Sequence, residues 1–154
     1  MSAGVHNHTF GFEAEFSSNL RCIPMAVRRK LDLSGCKLRL QTWLELPKAE
    51  RQRLLEWGDS KADLEQLRQE LRNSCTAIKP ARQEPWQQIT AVPKCLIEAC
   101  AAQAENCPNT EQWQQLNELQ RFALIKLSKP DHAHRNLPLA LAEFQARPNT
   151  IEIW

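Results

Sequence analysis

The chain has 154 residues, of which 42% are hydrophobic and 25% are charged, and its net charge at pH 7 is +2. A chain of this length and composition is typical of one globular domain, which we predict over residues 1–154. The charge is too small to indicate nucleic-acid binding by itself, and no run approaches the roughly 18 apolar residues that a membrane helix needs. We therefore predict a protein that binds neither nucleic acid nor membrane.

The amino terminus and the cysteines bear on the compartment in which the protein works. The first residues show no cationic segment followed by an apolar one, so the sequence predicts no secretory signal. We expect a cytoplasmic protein whose residues 1–9 are frayed. The six cysteines include no Cys-x-x-Cys pair and are expected to be reduced thiols, most of them small core residues.

Helix signals divide the first half of the chain. A proline at the start and a Ser-Gly pair at the end predict a helix over residues 24–33. Residues 37–41 fit a strand or a loop equally well, and a second proline predicts a helix over residues 47–57. Residues 61–78 are predicted as one amphipathic helix, because residues 60–63 fit a capping box and apolar residues follow at helical spacing.

The second half of the chain has similar signals. Residues 79–92 are predicted as a connection anchored by one tryptophan, and a helix is predicted over residues 94–104. Thr110 is the predicted N-cap of a short helix. Apolar residues at three- and four-residue steps predict a helix over residues 116–127 that is buried on most sides, and a last helix is predicted over about 136–146. Because no Asn-Gly or Asp-Gly hairpin signal occurs, the predicted fold class is all-α, a compact helical domain.

The two halves suggest an internal repeat. The pattern Trp-x2-Leu-x4-Arg-x2-Leu begins at Trp43 and recurs 70 positions later at Trp113. The prolines that start the two segments lie 69 positions apart. Four matched residues are also compatible with coincidence, because Leu and Arg are common in helices. If residues 24–78 and 93–146 are a true duplication, we expect two similar helical units related by a pseudo-twofold axis.

Basic residues are concentrated in two segments. Residues 21–40 contain six basic residues against the single acid Asp32, and residues 121–135 contain four against Asp131. These residues fit solvated helix faces, or one basic surface that docks an acidic partner. Aromatic side chains do not alternate with the arginines, so stacking on nucleic-acid bases is not indicated.

A loop in the second basic segment contains His132 and His134. A structural metal would require three or four ligands, and the most plausible distant thiol is that of Cys22. The alternative is a histidine that hydrogen-bonds a helix end. Nucleophilic catalysis by Cys22 with His132 would need an activated thiol, and no local feature indicates one. We predict no cofactor, with Cys22 and His132 as the only candidate ligands.

Three segments of the chain resemble the nitrate reductase-associated protein family, often called NarM. They are residues 10–16, 20–38 and 113–144, and the most specific strings are Cys22-Ile-Pro-Met and Arg121-Phe-Ala-Leu-Ile-Lys-Leu-Ser128. The resemblance implies a factor that active assimilatory nitrate reductase requires, and not the reductase itself.

The histidine loop follows the family pattern only in part. That pattern reads Arg/Lys-Pro-Gly-His-Glu and then an Asn-Phe pair, and the chain keeps Pro130, His132 and Asn136. Three positions depart from it: Asp131, Ala133 and Leu137. Because Ala133 replaces the glutamate, this position offers no carboxylate for catalysis or for a metal.

These observations lead to one functional hypothesis and two rivals. The protein is predicted to be a non-enzymatic accessory factor that binds nitrate reductase or its electron donor, with its oligomeric state left open. The first rival is a carrier of a metal, an iron–sulfur cluster or the molybdenum cofactor that uses Cys22 and His132. The second is a small enzyme, for which the sequence shows no catalytic constellation. The predicted partner-binding residues are polar or basic and come from both segments: Arg21, Arg28, Lys30, Arg121, Lys126, Lys129, His132, Arg135 and Asn136.

Overall fold

The structure is a computed structural model that describes residues 5–14, 20–129 and 136–146. Contacts within the chain divide it into two compact units, residues 1–82 and 83–154. The described residues contain eight α-helices and one sheet of two short strands, which confirms the predicted all-α class. No helix in the described ranges is long and apolar enough to cross a membrane. The single domain and the pseudo-twofold axis stay predictions.

The first unit contains a 3₁₀ turn, four helices and both strands. Strands β1 and β2 pair antiparallel, with Cys36 opposite Ala77 and Lys37 opposite Thr76. Helix α1 packs against α3, α4 and β1, so it lies at the centre of this unit. The bounds in chain order are Gly11–Glu13 for the 3₁₀ turn, Met25–Ser34 (α1), Cys36–Lys37 (β1), Leu40–Glu45 (α2), Lys48–Glu56 (α3), Lys61–Glu70 (α4) and Thr76–Ala77 (β2).

Helix α1 begins and ends one residue later than the predicted 24–33, with the predicted proline and glycine as its caps. Its N-cap is Pro24, whose ring has no atom that can accept a hydrogen bond from the helix. The buried carboxylate of Glu13 accepts one instead, from the Met25 N–H at 3.2 Å. The same carboxylate accepts one from the Phe10 N–H at 3.1 Å, which fixes the amino-terminal turn. Gly35 ends the helix with a φ of 79°, a left-handed conformation that favours glycine.

Part of the amino-terminal segment predicted to be frayed makes contacts. Residues 1–4 lie outside the described residues, whereas the Asn7 amide donates to the Glu56 carboxylate at 2.8 Å. The His8 ring meets Phe10 edge to face, with centroids 5.0 Å apart. Residues 7 and 8 therefore contact the first unit.

The predicted helix over residues 61–78 is wrong beyond Glu70. The Ser60–Asp63 capping box forms as predicted, and the Ser60 hydroxyl accepts from the Asp63 N–H at 3.1 Å. After α4 the chain turns so that β2 pairs with β1, and the Ile78 N–H donates to the Gly35 carbonyl at 2.9 Å. The helical spacing of the later apolar residues is overridden by this pairing. Helix α2 was not predicted, because its N-cap residue Arg39 is not a capping residue and six residues are too few to show a period.

The second unit is organised around a buried helix. Its elements are a 3₁₀ turn at Pro85–Gln87, then Lys94–Ala102 (α5), Thr110–Gln115 (α6), Glu118–Leu127 (α7) and Asn136–Ala146 (α8). Helix α7 packs against the 3₁₀ turn, α5 and α8, and the Trp86 and Phe122 rings meet edge to face at 4.9 Å. Nearly every side chain of α7 is buried, as predicted, although the helix starts two residues later than predicted.

Asparagine caps both helices of the α6–α7 pair. The Asn109 side chain accepts from the Gln112 N–H at 2.8 Å, and the Gln112 side chain accepts from the Asn109 N–H at 2.9 Å. Asn117 and Gln120 form the same box at the start of α7. The predicted N-cap, Thr110, is therefore wrong by one residue. Asn109 is favoured because its partner three residues later is a glutamine that can return the hydrogen bond.

The Trp-Leu-Arg motif, which is the repeated pattern of the sequence, makes similar hydrogen bonds in each unit. In the first unit the Trp43 indole N–H donates to the Leu20 carbonyl at 2.8 Å, and the Arg51 guanidinium donates to Leu20 at 2.8 Å and to Leu46 at 3.2 Å. In the second, the indole N–H of Trp113 donates to the Gln88 carbonyl at 2.8 Å. The Arg121 guanidinium donates to the carbonyls of Trp86 and Leu116. The duplication itself stays a prediction.

Candidate functional site

The predicted basic residues of the first unit differ in exposure. Arg21 is exposed and Arg28 is half-buried, whereas Lys30 is only 1% exposed. The Lys30 ammonium donates to three backbone carbonyls at the end of α3, those of Leu54 (2.8 Å), Leu55 (2.8 Å) and Trp57 (2.7 Å). Burial lowers the pKa of Lys30 to about 8. The charge of Lys30 thus caps α3 inside the unit instead of facing solvent.

The second unit shows the same division. Arg121 is 8% exposed and holds two backbone carbonyls in the motif described above. Lys126 is half-buried, with its ammonium 5.2 Å from the centroid of the Phe122 ring. Lys129 is exposed and Asn136 is half-buried. Two further predicted residues lie outside the described residues: His132 and Arg135.

The exposed part of the first basic segment extends beyond the predicted residues. Lys37 and Arg39 are exposed on either side of the buried Leu38. The next residues contribute two leucines that are also exposed, Leu40 at 50% and Leu44 at 44%. Sequence reasoning did not select these leucines. A comparison of the two motif copies position by position could have found them, because the second copy has Thr110 and Gln114 there.

The thiols occur largely in contacting pairs. Cys36 and Cys75 share a hydrogen bond in the first unit, as do Cys100 and Cys107 in the second. Burial raises the pKa of Cys75 to about 11 and that of Cys100 to about 12. Cys22, the thiol predicted as a candidate ligand, is half-buried. In the part of the chain that the structure describes, no group of three or more His, Cys, Asp or Glu side chains could hold a metal ion.

Surface cavities occur in both units, and two of them differ in their lining. One of about 290 Å³ in the first unit is lined by the Cys36–Cys75 pair and by Arg68 and Arg72 of α4, with Glu65 beside them. One of about 210 Å³ in the second unit has an apolar floor, which includes Leu141 and Phe144, and glutamines at its edge. Neither cavity is lined by a predicted partner-binding residue.

Comparison with known families identifies the chain. Residues 9–144 match the model of the conserved nitrate reductase-associated proteins. The chain belongs to this family. The match contains both copies of the Trp-Leu-Arg motif and every predicted partner-binding residue, and it confirms the resemblance found in the sequence. No curated protein and no solved structure matches the chain significantly.

Proposed function

We propose that this protein is a non-enzymatic accessory factor that binds assimilatory nitrate reductase in the cytoplasm and that the reductase requires it for full activity. The observation that carries the proposal is the family match over residues 9–144, because the family description names an association with nitrate reductase. The association is proposed to be direct, through protein–protein contact.

Exposed basic side chains support docking to an acidic partner. Arg21 and Lys129 are exposed among the predicted residues, and Lys37 and Arg39 add to the charge of the first unit. Cationic surface groups accelerate association with an acidic protein. Added salt weakens this association, because the attraction is screened beyond about 10 Å at 0.1 M salt. The complex should therefore be most stable at low ionic strength.

Three of the described thiols are poor candidates for catalysis or metal binding. A nucleophilic or metal-binding cysteine acts as a thiolate and needs a low pKa. Burial instead raises the pKa values of Cys75, Cys100 and Cys107, so that these groups are protonated at neutral pH. The hydrogen bonds of Lys30 and Arg121 to backbone carbonyls likewise give these two side chains a role in the fold and not in catalysis.

The requirement can be tested in cells. Deletion of the gene should lower nitrate reductase activity without removing the reductase polypeptide, and expression of this chain from a plasmid should restore the activity. A deletion strain with unchanged reductase activity would contradict the proposal.

Direct binding is tested with purified proteins. We expect co-purification with the reductase at 50 mM salt, and the double variant R21E/K129E should bind about tenfold more weakly because it reverses two exposed charges. The control is K94E, since Lys94 is also exposed and is not one of the predicted partner-binding residues. No complex at low salt would contradict the proposal, and binding only to the electron donor would instead assign the protein to electron delivery.

A further inference from the structure

Helix α2 has apolar side chains both in the core of the first unit and on its surface. Its Trp43 side chain is fully buried in the first unit, whereas Leu40 and Leu44 are 50% and 44% exposed. Residues four apart lie on the same face of a helix, so the two leucines form one apolar strip toward solvent. Neighbouring exposed apolar side chains of this kind mark sites of contact with other molecules more often than isolated ones do.

The second copy of the motif serves as an internal control. Helix α6 corresponds to α2 at an offset of 70 positions, and it has Thr110 and Gln114 in place of the two leucines, both exposed. The end of each helix is nevertheless the same: the Leu46 N–H donates to Trp43 at 3.1 Å, and the Leu116 N–H donates to Trp113 at 3.2 Å. The motif therefore folds with polar residues at these positions. The buried tryptophan and the end of the helix therefore do not require leucine at these positions.

Cationic residues flank the leucines in the first copy only. Lys37 and Arg39 precede α2, and Lys48 is the first residue of α3; all three are exposed. The corresponding residues of the second copy are neutral or acidic: Cys107, Asn109 and Glu118. Helix α2 itself contributes one acid, Glu45. We define the Leu40–Leu44 patch as these two leucines with Lys37, Arg39 and Lys48.

We propose that the Leu40–Leu44 patch docks an acidic surface of nitrate reductase. Apolar side chains of the reductase cover the two leucines, and its carboxylates face the three cations. This inference rests on the proposed function and names the surface of the first unit that performs it. Charge complementarity decides the occupant: a symmetric contact between two copies of this chain would bring six cations together, whereas an acidic partner neutralises three.

Exchange of residues between the two motif copies gives a matched test. The variant L40T/L44Q places the residues of α6 on α2 and should weaken binding to the purified reductase at least tenfold, because the apolar contact is lost. The reverse variant T110L/Q114L should bind as wild type does. The variant K37Q/R39Q/K48Q should bind more weakly at low salt and show a flatter dependence of Kd on salt.

A measurement on the unaltered protein guards against misfolded variants. Hydrogen exchange with and without the reductase should show slower exchange of backbone amides in residues 37–48 and no change in residues 107–118. Circular dichroism and the Tm of each variant establish that it folds.

The outcomes separate this inference from the proposed function. If the wild-type chain does not bind the reductase, the proposed function is wrong and this inference falls with it. If the wild-type chain binds but L40T/L44Q binds equally well, only the assignment of the patch is wrong. If instead the wild-type chain self-associates and the L40T/L44Q variant does not, the patch joins two copies, which overturns the assignment to the reductase.

Discussion

Lys30 occupies the end of a helix, where carbonyl groups have no partner within the helix. Its ammonium donates to three carbonyls there, those of Leu54, Leu55 and Trp57, of which Leu54 also accepts from the Trp57 N–H at 3.3 Å. The partial negative charge of the helix end favours the cation. Burial opposes this effect and is the largest influence on the pKa, which it lowers to about 8; nearby Asp59 and Glu56 raise it, and Arg29 lowers it further. The side chain therefore stabilises the fold through hydrogen bonds at the cost of a buried charge.

The lowered pKa of Lys30 predicts a pH dependence of stability. The unfolded chain, with a lysine pKa of about 10.4, binds more protons than the folded one between pH 8 and 10.5. The free energy of unfolding should therefore rise across this window, and the contribution of Lys30 is lost as the pH falls through about 8. From pH 7.5 to 10 we expect wild type to gain about 2 kcal/mol relative to K30M.

Urea unfolding of both proteins at several pH values measures this difference. The titration of every group that the two proteins share drops out when the free energy of unfolding of K30M is subtracted from that of wild type. The K30M variant should itself be less stable by about 2 kcal/mol at neutral pH because buried carbonyls lose their donor. A difference between the two proteins that does not change with pH would mean that the carbonyls hold the pKa of Lys30 at its ordinary value.

At the scale of elements, the Trp-Leu-Arg motif holds α2 with α3, and α6 with α7, to an earlier segment of the chain through similar hydrogen bonds. A planar guanidinium holds two carbonyls that lie in different segments of the chain, which a lysine ammonium at the same position does less well. The two arginines differ in burial: Arg121 is 8% exposed, whereas Arg51 is half-buried. The same bonds are therefore less accessible to water in the second unit.

This difference in burial predicts unequal costs for one substitution made twice. We expect R121K to lower the free energy of unfolding by about 2 kcal/mol and R51K by about 1 kcal/mol, because water can replace part of the lost bonding around Arg51. Denaturant unfolding of the two single variants at pH 7 measures both values. Each variant is the control for the other, and a larger loss for R51K would contradict the role assigned to burial.

The helix starts could be predicted because the signals that set them are local. Pro24, Pro47, Pro93 and Ser60 stand at the N-caps of α1, α3, α5 and α4, since a proline or a capping side chain acts on residues next to it. The end of α4 could not be predicted in this way. It depends on the pairing of Thr76 with Lys37, which lies far away in the sequence.

At the scale of the whole molecule, charge alone located the basic segments but could not select the accessible residues. Lys30 and Arg121 carry the same charge as Arg21 and Lys129, yet only the second pair is exposed. Burial depends on which face of each helix meets the rest of its unit, and neighbours in the sequence do not determine it. The exposed leucines were missed for the complementary reason, since an apolar residue in a helix is expected to be buried.

The six cysteines provide a last test of how tightly the whole molecule is packed. Cys95 is exposed, Cys36 and Cys100 are buried, and the others are half-buried. A cysteine reacts with a thiol reagent such as Ellman's reagent at a rate set by its accessibility and by the fraction of its thiol that is ionised to thiolate. We expect one fast thiol in the native protein, assigned to Cys95. Cys75 and Cys100, whose pKa values burial raises to about 11 and 12, should react at least about a hundredfold more slowly.

The variant C95S is the matched control and should abolish the fast phase without changing the Tm. In denaturant and without reductant, wild type should show six reactive thiols, because all six cysteines are expected to be reduced. The slow thiols should react only when unfolding of their unit exposes them, so urea should increase their reaction rates in parallel with the unfolded fraction. A count below six would reveal a disulfide. A fast phase that survives in C95S would show that a half-buried thiol is more accessible than its packing implies.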